Sequence, residues 1–377
     1  MKIIPYIFFS LILFIYVIFM SIVYIKFEKI AIKRREKKVA KIQDKIREDI
    51  KKQILKVIKN NNLSKDEILY VEKILKKSKS RQAFNKIILE LSNNLELKDG
   101  ISNFMTNYLK IIENEIEKYS KKDSIRKCYF ISNLGEYKID SFKIQNFLME
   151  CLNDKSIYVR YNALNAIANI GKRDNFIEAL IYMSKNRIYI NDKVFIEIID
   201  KFKNSYEMNR DLARVLNELN TKMQCLIINS FSKNKIDFLN KTLLMKLKDE
   251  INREVRISII KYFEKNHCDE AYDKLIELLS SKWWEERAMA AKSLSKYYSF
   301  EVENSLKKSL KDKNWYVRLN SASSILDNNC SEKIIREVLD SEDIYAKEIL
   351  LYVLQKKNNI LYNKILNNKE EQIILSC

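Results

Sequence analysis

Residues 152–171 read LNDKSIYVRYNALNAIANIG, and the same cadence returns at 247–260 (LKDEINREVRISII) and 310–326 (LKDKNWYVRLNSASSIL). Aligning the copies on their basic residue puts Arg126, Arg160, Lys193, Gln224, Arg256, Arg287, Arg318 and Lys347 in one column, with gaps of 34, 33, 31, 32, 31, 31 and 29 residues. A fixed period of about 30 residues marks a stacked repeat, whose units bury their apolar faces only against their neighbours. Such an array offers an extended surface and needs no catalytic pocket, so binding is the expected kind of function.

The local chemistry agrees. The chain of 377 residues holds three Gly and one Pro. Tight hairpin turns between strands need residues at φ > 0, usually Gly, so their scarcity argues for long helices joined by short polar turns. Apolar residues recur at helical spacing, as in Ile68, Val71, Ile74 and Leu75, or Val159, Ala163, Ala166, Ile167 and Ile170. The expected fold is all-α: an α-solenoid of helical hairpins. In each hairpin, helix A ends in a polar turn and helix B begins near the aligned basic residue. Gly171 is placed to stop its helix B, and Gly135, nine residues after Arg126, is expected to do the same. Small residues such as Ala163, Ala166, Ala168, Ala288, Ala290 and Ala291 allow helices to approach closely.

The net charge of +19 is uneven. Residues 26–60 carry 14 Lys or Arg against 5 Asp or Glu, so the repeats themselves are weakly basic. Heavy use of Lys, Asn and Ile, as in chains from AT-rich bacterial genomes, accounts for part of the rest. Residues 3–25, IIPYIFFSLILFIYVIFMSIVYI, hold 23 positions without a charge. As a helix they span roughly 34 Å, enough for a hydrocarbon core of about 30 Å. Tyr6 and Tyr24 suit the two interfaces, and no small-residue cleavage site follows, so an uncleaved transmembrane anchor over 1–25 is expected. The basic flank beyond it, with Lys33, Arg34, Arg35, Lys37 and Lys38, puts the short N-terminus outside and the C-terminal solenoid in the cytoplasm, at the plasma membrane. The same cluster suits an anionic lipid surface.

Between anchor and repeats, Val39, Ile42, Ile46, Ile50, Ile54 and Val57 or Ile58 form an apolar stripe, giving a basic juxtamembrane amphipathic helix over 26–60. This stripe is compatible with lying on the bilayer, pairing as a short coiled coil or packing on the first repeat. Residues 60–65 break the helix, and Ser64 with Glu67 offers a capping box for the next one, through Lys77. Helices at about 80–92 and 101–119 complete a divergent cap over 61–120, followed by about eight repeats over 121–377.

The D-x-x-x-x-V-R-x-x-A pattern of Asp154–Ala163, and its copy from Asp312 through Val317 and Arg318 to Ala322, resembles the short HEAT-like repeats, also known from lyases of the PBS type. The resemblance covers about 120–360. It implies a ladder in which the turn Asp and the helix-B Arg link neighbouring repeats, with Asp154, Arg160, Asp249, Arg256, Asp312 and Arg318 as its members. The family's helix-A Pro is missing throughout, and the Arg becomes Lys193, Gln224 and Lys347. Single-helix proteins with such repeats resemble bacterial membrane-anchored scaffolds, which implies a membrane or membrane-associated protein as partner and an accessory role in envelope or glycan synthesis. The alternative is a HEAT-like DNA glycosylase or another nucleic-acid-binding solenoid, which the weak charge of the repeats disfavours.

Catalytic chemistry finds little to use. There is one histidine, His267, beside Cys268 and Asp269, read as an exposed loop pair. No Gly-rich phosphate loop can be made from three glycines. Six cysteines at 128, 151, 225, 268, 330 and 377 show neither C-x-x-C pairs nor disulfide spacing, which fits a reducing compartment. No enzyme, metal or cofactor is expected. All three tryptophans, however, fall in one cluster: Trp283, Trp284, Trp315 and Tyr316, with Arg287. Trp284 and Trp315 each precede their aligned Arg by three residues, so they occupy equivalent turns of adjacent repeats. The cluster either packs those turns together or forms a partner-binding hot spot.

Overall fold

The computed structural model describes residues 4–94, 96–233, 236–327 and 332–365. Among them are twenty α-helices and no strand. The chain divides into two compact units, Met1–Phe176 and Ile177–Cys377. The first holds α1 (Ile4–Ile58), α2 (Lys65–Lys76), α3 (Ser78–Ser92), α4 (Lys98–Thr106), α5 (Leu109–Ser120), α6 (Ser124–Tyr137), α7 (Phe142–Cys151) and α8 (Ile157–Ile170). The boundary falls inside α9 (Arg173–Lys185). The second unit continues with α10 (Asp192–Asp200), α11 (Tyr206–Val215), α12 (Thr221–Phe231), α13 (Asp237–Asp249), α14 (Arg253–Lys265), α15 (Tyr272–Leu278), α16 (Trp284–Ser293), α17 (Phe300–Ser309), α18 (Trp315–Asp327), α19 (Glu332–Leu339) and α20 (Ile344–Lys357).

Every aligned residue falls in the first turn or so of a B helix: Arg126 in α6, Arg160 in α8, and Lys193, Gln224, Arg256, Arg287, Arg318 and Lys347 in α10, α12, α14, α16, α18 and α20. In the second unit each of these B helices packs on the next, from α10 to α20; in the first, α3, α6 and α8 form a similar row. Side-chain caps start many of them, with Asp123, Asn191, Asn220, Asn252 and Asp343 each accepting a backbone N–H of the first turn. Small residues then let the backbones meet. Ser293 Oγ donates to Ile260 O at 2.9 Å, Asn320 Nδ2 to Ala288 O at 2.7 Å and Ser324 Oγ to Ala291 O at 2.7 Å, stitching α14, α16 and α18 together.

Gly171 ends α8 in the left-handed region, at φ 83°. Gly135 does something else: it lies inside α6, which runs two residues further and stops at Lys138, itself left-handed at φ 54°. A Cβ on Gly135 would come within 2.9 Å of the Ala166 Cα in α8, so this glycine permits a close helix crossing rather than a helix end. The helix expected over 101–119 is two, α4 and α5. The break is at Asn107, whose Nδ2 donates back to the Asn103 and Phe104 carbonyls, and at Tyr108, whose buried ring meets Phe104 edge-on at 5.3 Å.

The apolar stretch expected to be an anchor and the amphipathic stretch are a single helix, α1, of 55 residues. Its described N-terminal part is long and apolar enough to cross a membrane by length and composition, and none of that part is buried. From Phe8 to Lys38 the side chains are exposed, Val23 alone being half-buried. From Val39 onward the stripe turns inward. Val39, Ile46, Ile50 and Ile54 are buried, and α1 packs on α3 and α4. Gln43 donates to Glu90 at 2.7 Å, and Arg47 pairs with the same carboxylate. Packing on the first helices is thus what the stripe does. The capping box at Ser64 and Glu67 is formed, starting α2.

Candidate interaction surface

The B-helix Arg has two edges, and the fold uses them differently. Arg287 Nη1 donates to the carbonyls of Ser281 and Lys282 in its own turn, at 2.9 and 3.4 Å, while Nε and Nη2 grip both oxygens of Asp312 in the next repeat at 2.6 and 2.8 Å. Arg256 does likewise: Nη1 reaches Leu247 O and Glu250 O, and Nε and Nη2 reach Glu286 at 2.6 and 3.3 Å. Both rungs are largely out of water, with side-chain exposures of 9% and 12% for Arg287–Asp312 and 18% and 2% for Arg256–Glu286. Burial would raise the Asp312 carboxyl, but the Arg287 fork and the Asn314 amide outweigh it and hold the group below the usual carboxylate range. In the first unit Arg160 Nη1 donates to Asp154 O and Lys155 O, and Asp154 receives Lys127 at 2.7 Å.

Two expected roles therefore need correction, that of Asp249 in the ladder and that of Arg287 at the partner surface, and one rung comes from a lysine. Asp249 takes no part: it is exposed, the last residue of α13, and Glu250 holds the turn position instead. Glu250 Oε1 accepts Asn252 N at 2.8 Å, as Asp154 Oδ1 accepts Ser156 N at 2.9 Å and Asp312 Oδ1 accepts Asn314 N at 2.8 Å. The count explains it, since Asp154, Glu250 and Asp312 each stand six residues before their Arg and Asp249 stands seven. The rung to Asp154 comes from Lys127, because Arg126 pairs with its own cap, Asp123. And Arg287, grouped with the tryptophans as a partner contact, is buried and committed to Asp312.

The aromatic residues stand outside this ladder. Trp283, Trp284, Trp315 and Tyr316 are 41%, 39%, 44% and 54% exposed. Trp284 stacks on Tyr316 across the repeats, with ring centroids 5.6 Å apart and planes 22° apart, while Trp315 meets Tyr316 edge-on at 5.1 Å. The equivalent tryptophans thus touch through the tyrosine. Arg253 and Lys282 hold their cations over Trp283, at 4.8 and 5.2 Å from its centre. The row continues in α20 with Ile344 and Tyr345, 65% and 67% exposed, at the same offsets from Lys347 as Trp315 and Tyr316 from Arg318. That extension is legible in the alignment column through Tyr345, although Ile344 stands where the other two repeats have Trp. The result is an exposed apolar strip along one edge of α16, α18 and α20.

Elsewhere the sequence candidates scatter. Lys33, Arg34, Arg35, Lys37 and Lys38 are exposed on α1. His267 is half exposed, with Nε2 2.9 Å from Asp269 Oδ1. Cys268 is not an exposed loop residue: it is buried, its N–H donating to Tyr297 Oη and its carbonyl accepting from the same hydroxyl. Burial pushes its thiol up to about 11, and that of Cys151 up to about 12. Cys128 and Cys225 are also free thiols; Cys330 and Cys377 lie outside the described residues. Among the described residues no group of three His, Cys, Asp or Glu could hold a metal ion.

The molecule is thus a helical-hairpin repeat protein whose turns are tied by an Arg–carboxylate ladder. It carries HEAT repeats in two stretches: the HEAT repeat family model matches 144–173, which is α7 with α8, and the model for HEAT repeats matches 240–326, which is α13 to α18. No curated protein matches the chain. Among solved structures it is similar to human deoxyhypusine hydroxylase in complex with glycerol, at 14% identity over 77% of this chain and 95% of the other, with a TM-score of 0.27. It is similar to Kap121p at 12% identity over 84% of this chain and 45% of the other, with a TM-score of 0.39. A microtubule polymerase with a TOG domain array, described with tubulin recruitment, matches at 10% identity over 76% and 90%, with a TM-score of 0.31.

Proposed function

We propose that this protein is a membrane-tethered protein-interaction scaffold, which engages a membrane-associated protein partner through the aromatic edge of α16, α18 and α20. The observation that carries the reading is that edge: two tryptophans that both touch one tyrosine, one stacked and one edge-on, each of the three more than a third exposed, on a framework tied by the buried ladder. Exposed apolar clusters of this kind mark interaction sites, and Trp and Tyr dominate binding hot spots because they contribute large area at small entropic cost. The tether is supported by α1, whose apolar side chains from Phe8 to Ile25 are left outside the packed unit and would be costly to leave in water. The basic flank orients the repeats toward the cytoplasmic side.

The test is site-specific photocrosslinking in the native membrane. A crosslinker at Tyr316 is expected to yield a discrete adduct that disappears in Trp284→Ala and Trp315→Ala, each costing about 2 kcal/mol of binding or more. Adducts of equal strength from an exposed control position such as Lys311, or none from Tyr316, would refute the surface. Removal of residues 1–25 is expected to release the chain from membranes with its helix content otherwise intact; retention after a high-salt wash would refute the tether.

A further inference from the structure

The ladder stops one rung short. Arg318 repeats the first half of the geometry, with Nη1 donating to Asp312 O and Lys313 O at 2.8 and 3.3 Å. The second half is open. Its Nε is buried and has no hydrogen-bond partner among the described residues, whereas Nε of Arg256 and of Arg287 each holds a carboxylate. The sequence of the following repeat explains why. Counting back from Lys347, the position of Asp312 is taken by Ser341, and that of Glu286 by Ala346. Neither can complete the fork.

What lies beside that fork is a groove of about 300 Å³ between α18 and α20, lined by Trp315, Arg318, Tyr345, Glu348, Ile349 and Tyr352. The guanidinium lies over the Tyr345 ring at 5.3 Å, so its plane is held and its unpaired edge is oriented. A guanidinium N–H withdrawn from water without an acceptor is a standing cost, relieved by any anion that reaches it. The groove is continuous with the exposed strip, since Trp315 and Tyr345 belong to both.

We propose that this groove receives an Asp or Glu carboxylate from a peptide segment of the protein partner, which meets Arg318 Nη2 and displaces the side chains covering Nε to complete the rung. The residue next to that acid lies on Trp315 and Tyr345. The chemistry is read from the two preceding rungs, where the same edge binds a carboxylate through both oxygens. A bidentate carboxylate matches this planar fork, and the nearby Glu348 would oppose a doubly charged phosphate more strongly. Glu348 itself makes no ion pair with Arg318. This inference rests on the scaffold reading and specifies what the surface recognises.

The full chain, held in detergent micelles, is panned against a displayed random heptapeptide library, and enriched sequences are synthesised with Glu or Gln at the acidic position. Enriched peptides are expected to share an acid beside an apolar residue, and Gln in its place to weaken binding about tenfold or more. Arg318→Lys, which keeps a cation but loses the fork, is expected to weaken binding by a similar factor. Ser341→Asp places a carboxylate where Asp312 stands one repeat earlier, so it is expected to raise the melting temperature and abolish peptide binding. Glu348→Gln is expected to tighten binding. Enrichment without an acidic preference, or binding indifferent to Arg318→Lys and Ser341→Asp, would overturn the proposal. So would Glu348→Gln lowering the melting temperature with binding unchanged, because Glu348 would then be the missing rung. Crosslinking at Tyr316 reports on the scaffold surface independently, so loss of the acidic preference with that adduct intact would reject the carboxylate and keep the surface.

Discussion

At Asp312 a carboxylate does two jobs: it closes its own turn onto Asn314 N and neutralises Arg287 of the preceding repeat. Removing it leaves a buried guanidinium without its partner, so Asp312→Ala is expected to destabilise the second unit by about 3–5 kcal/mol, whereas Asp249→Ala, at an exposed site, stays within about 0.5 kcal/mol. Hydrogen exchange across α16 and α18 would show the difference as local opening. The pH dependence follows from the same group. Asp312 titrates lower in the folded state than its ordinary value of about 3.9, so the unfolded chain binds the proton more tightly. Its stabilising contribution is therefore complete above that value and lost as pH falls through the lower folded value. Glu250 and Asp154, both also held low, act in the same direction. Melting curves between pH 7 and pH 3 should steepen their decline below about pH 4, and Asp312→Asn should flatten that part of the profile.

Among the elements, α6 and α8 show how tightly the B helices are drawn together. Gly135→Ala adds a methyl 2.9 Å from the Ala166 Cα, so the gain in helix propensity of about 1 kcal/mol is outweighed by overpacking of about 1–3 kcal/mol. A lower melting temperature for the first unit would bear this out, and a higher one would show that α8 can move aside. The helix periods themselves were plain in the sequence, because spacing of apolar residues is a local property. The end of α6 was not: its glycine is needed by a neighbour about 30 residues away, a demand that leaves no mark on local pattern.

At the scale of the whole molecule, α1 joins an exposed apolar stretch to the packing of the first unit in one continuous helix. A chain beginning at residue 32 is expected to keep the first unit's cooperative melting, because burial starts at Val39. A chain beginning at residue 59 uncovers the faces of α3 and α4 on which α1 packs, and is expected to lose it. Circular dichroism melts of the two truncations distinguish the cases; equal melts would mean that α1 is an appendage rather than part of the fold.

The repeat period, the all-helical class, the capping box at Ser64 and the apolar leader were all determined by sequence alone, since each depends on spacing along one short stretch. Which distant charges meet was decided only in three dimensions. Lys127 rather than Arg126 reaches Asp154, 27 residues on, and Arg287 reaches Asp312, 25 residues on, each through a register between separate segments, whereas Glu250 over Asp249 and the unfilled edge of Arg318 follow from counts along the sequence. The fate of the aromatic cluster was also decided in three dimensions. Helical spacing allowed Trp284 and Trp315 to be either packing or surface, and only the approach of α16 to α18 stacked Trp284 on Tyr316, beside the edge-on Trp315, and left all three exposed.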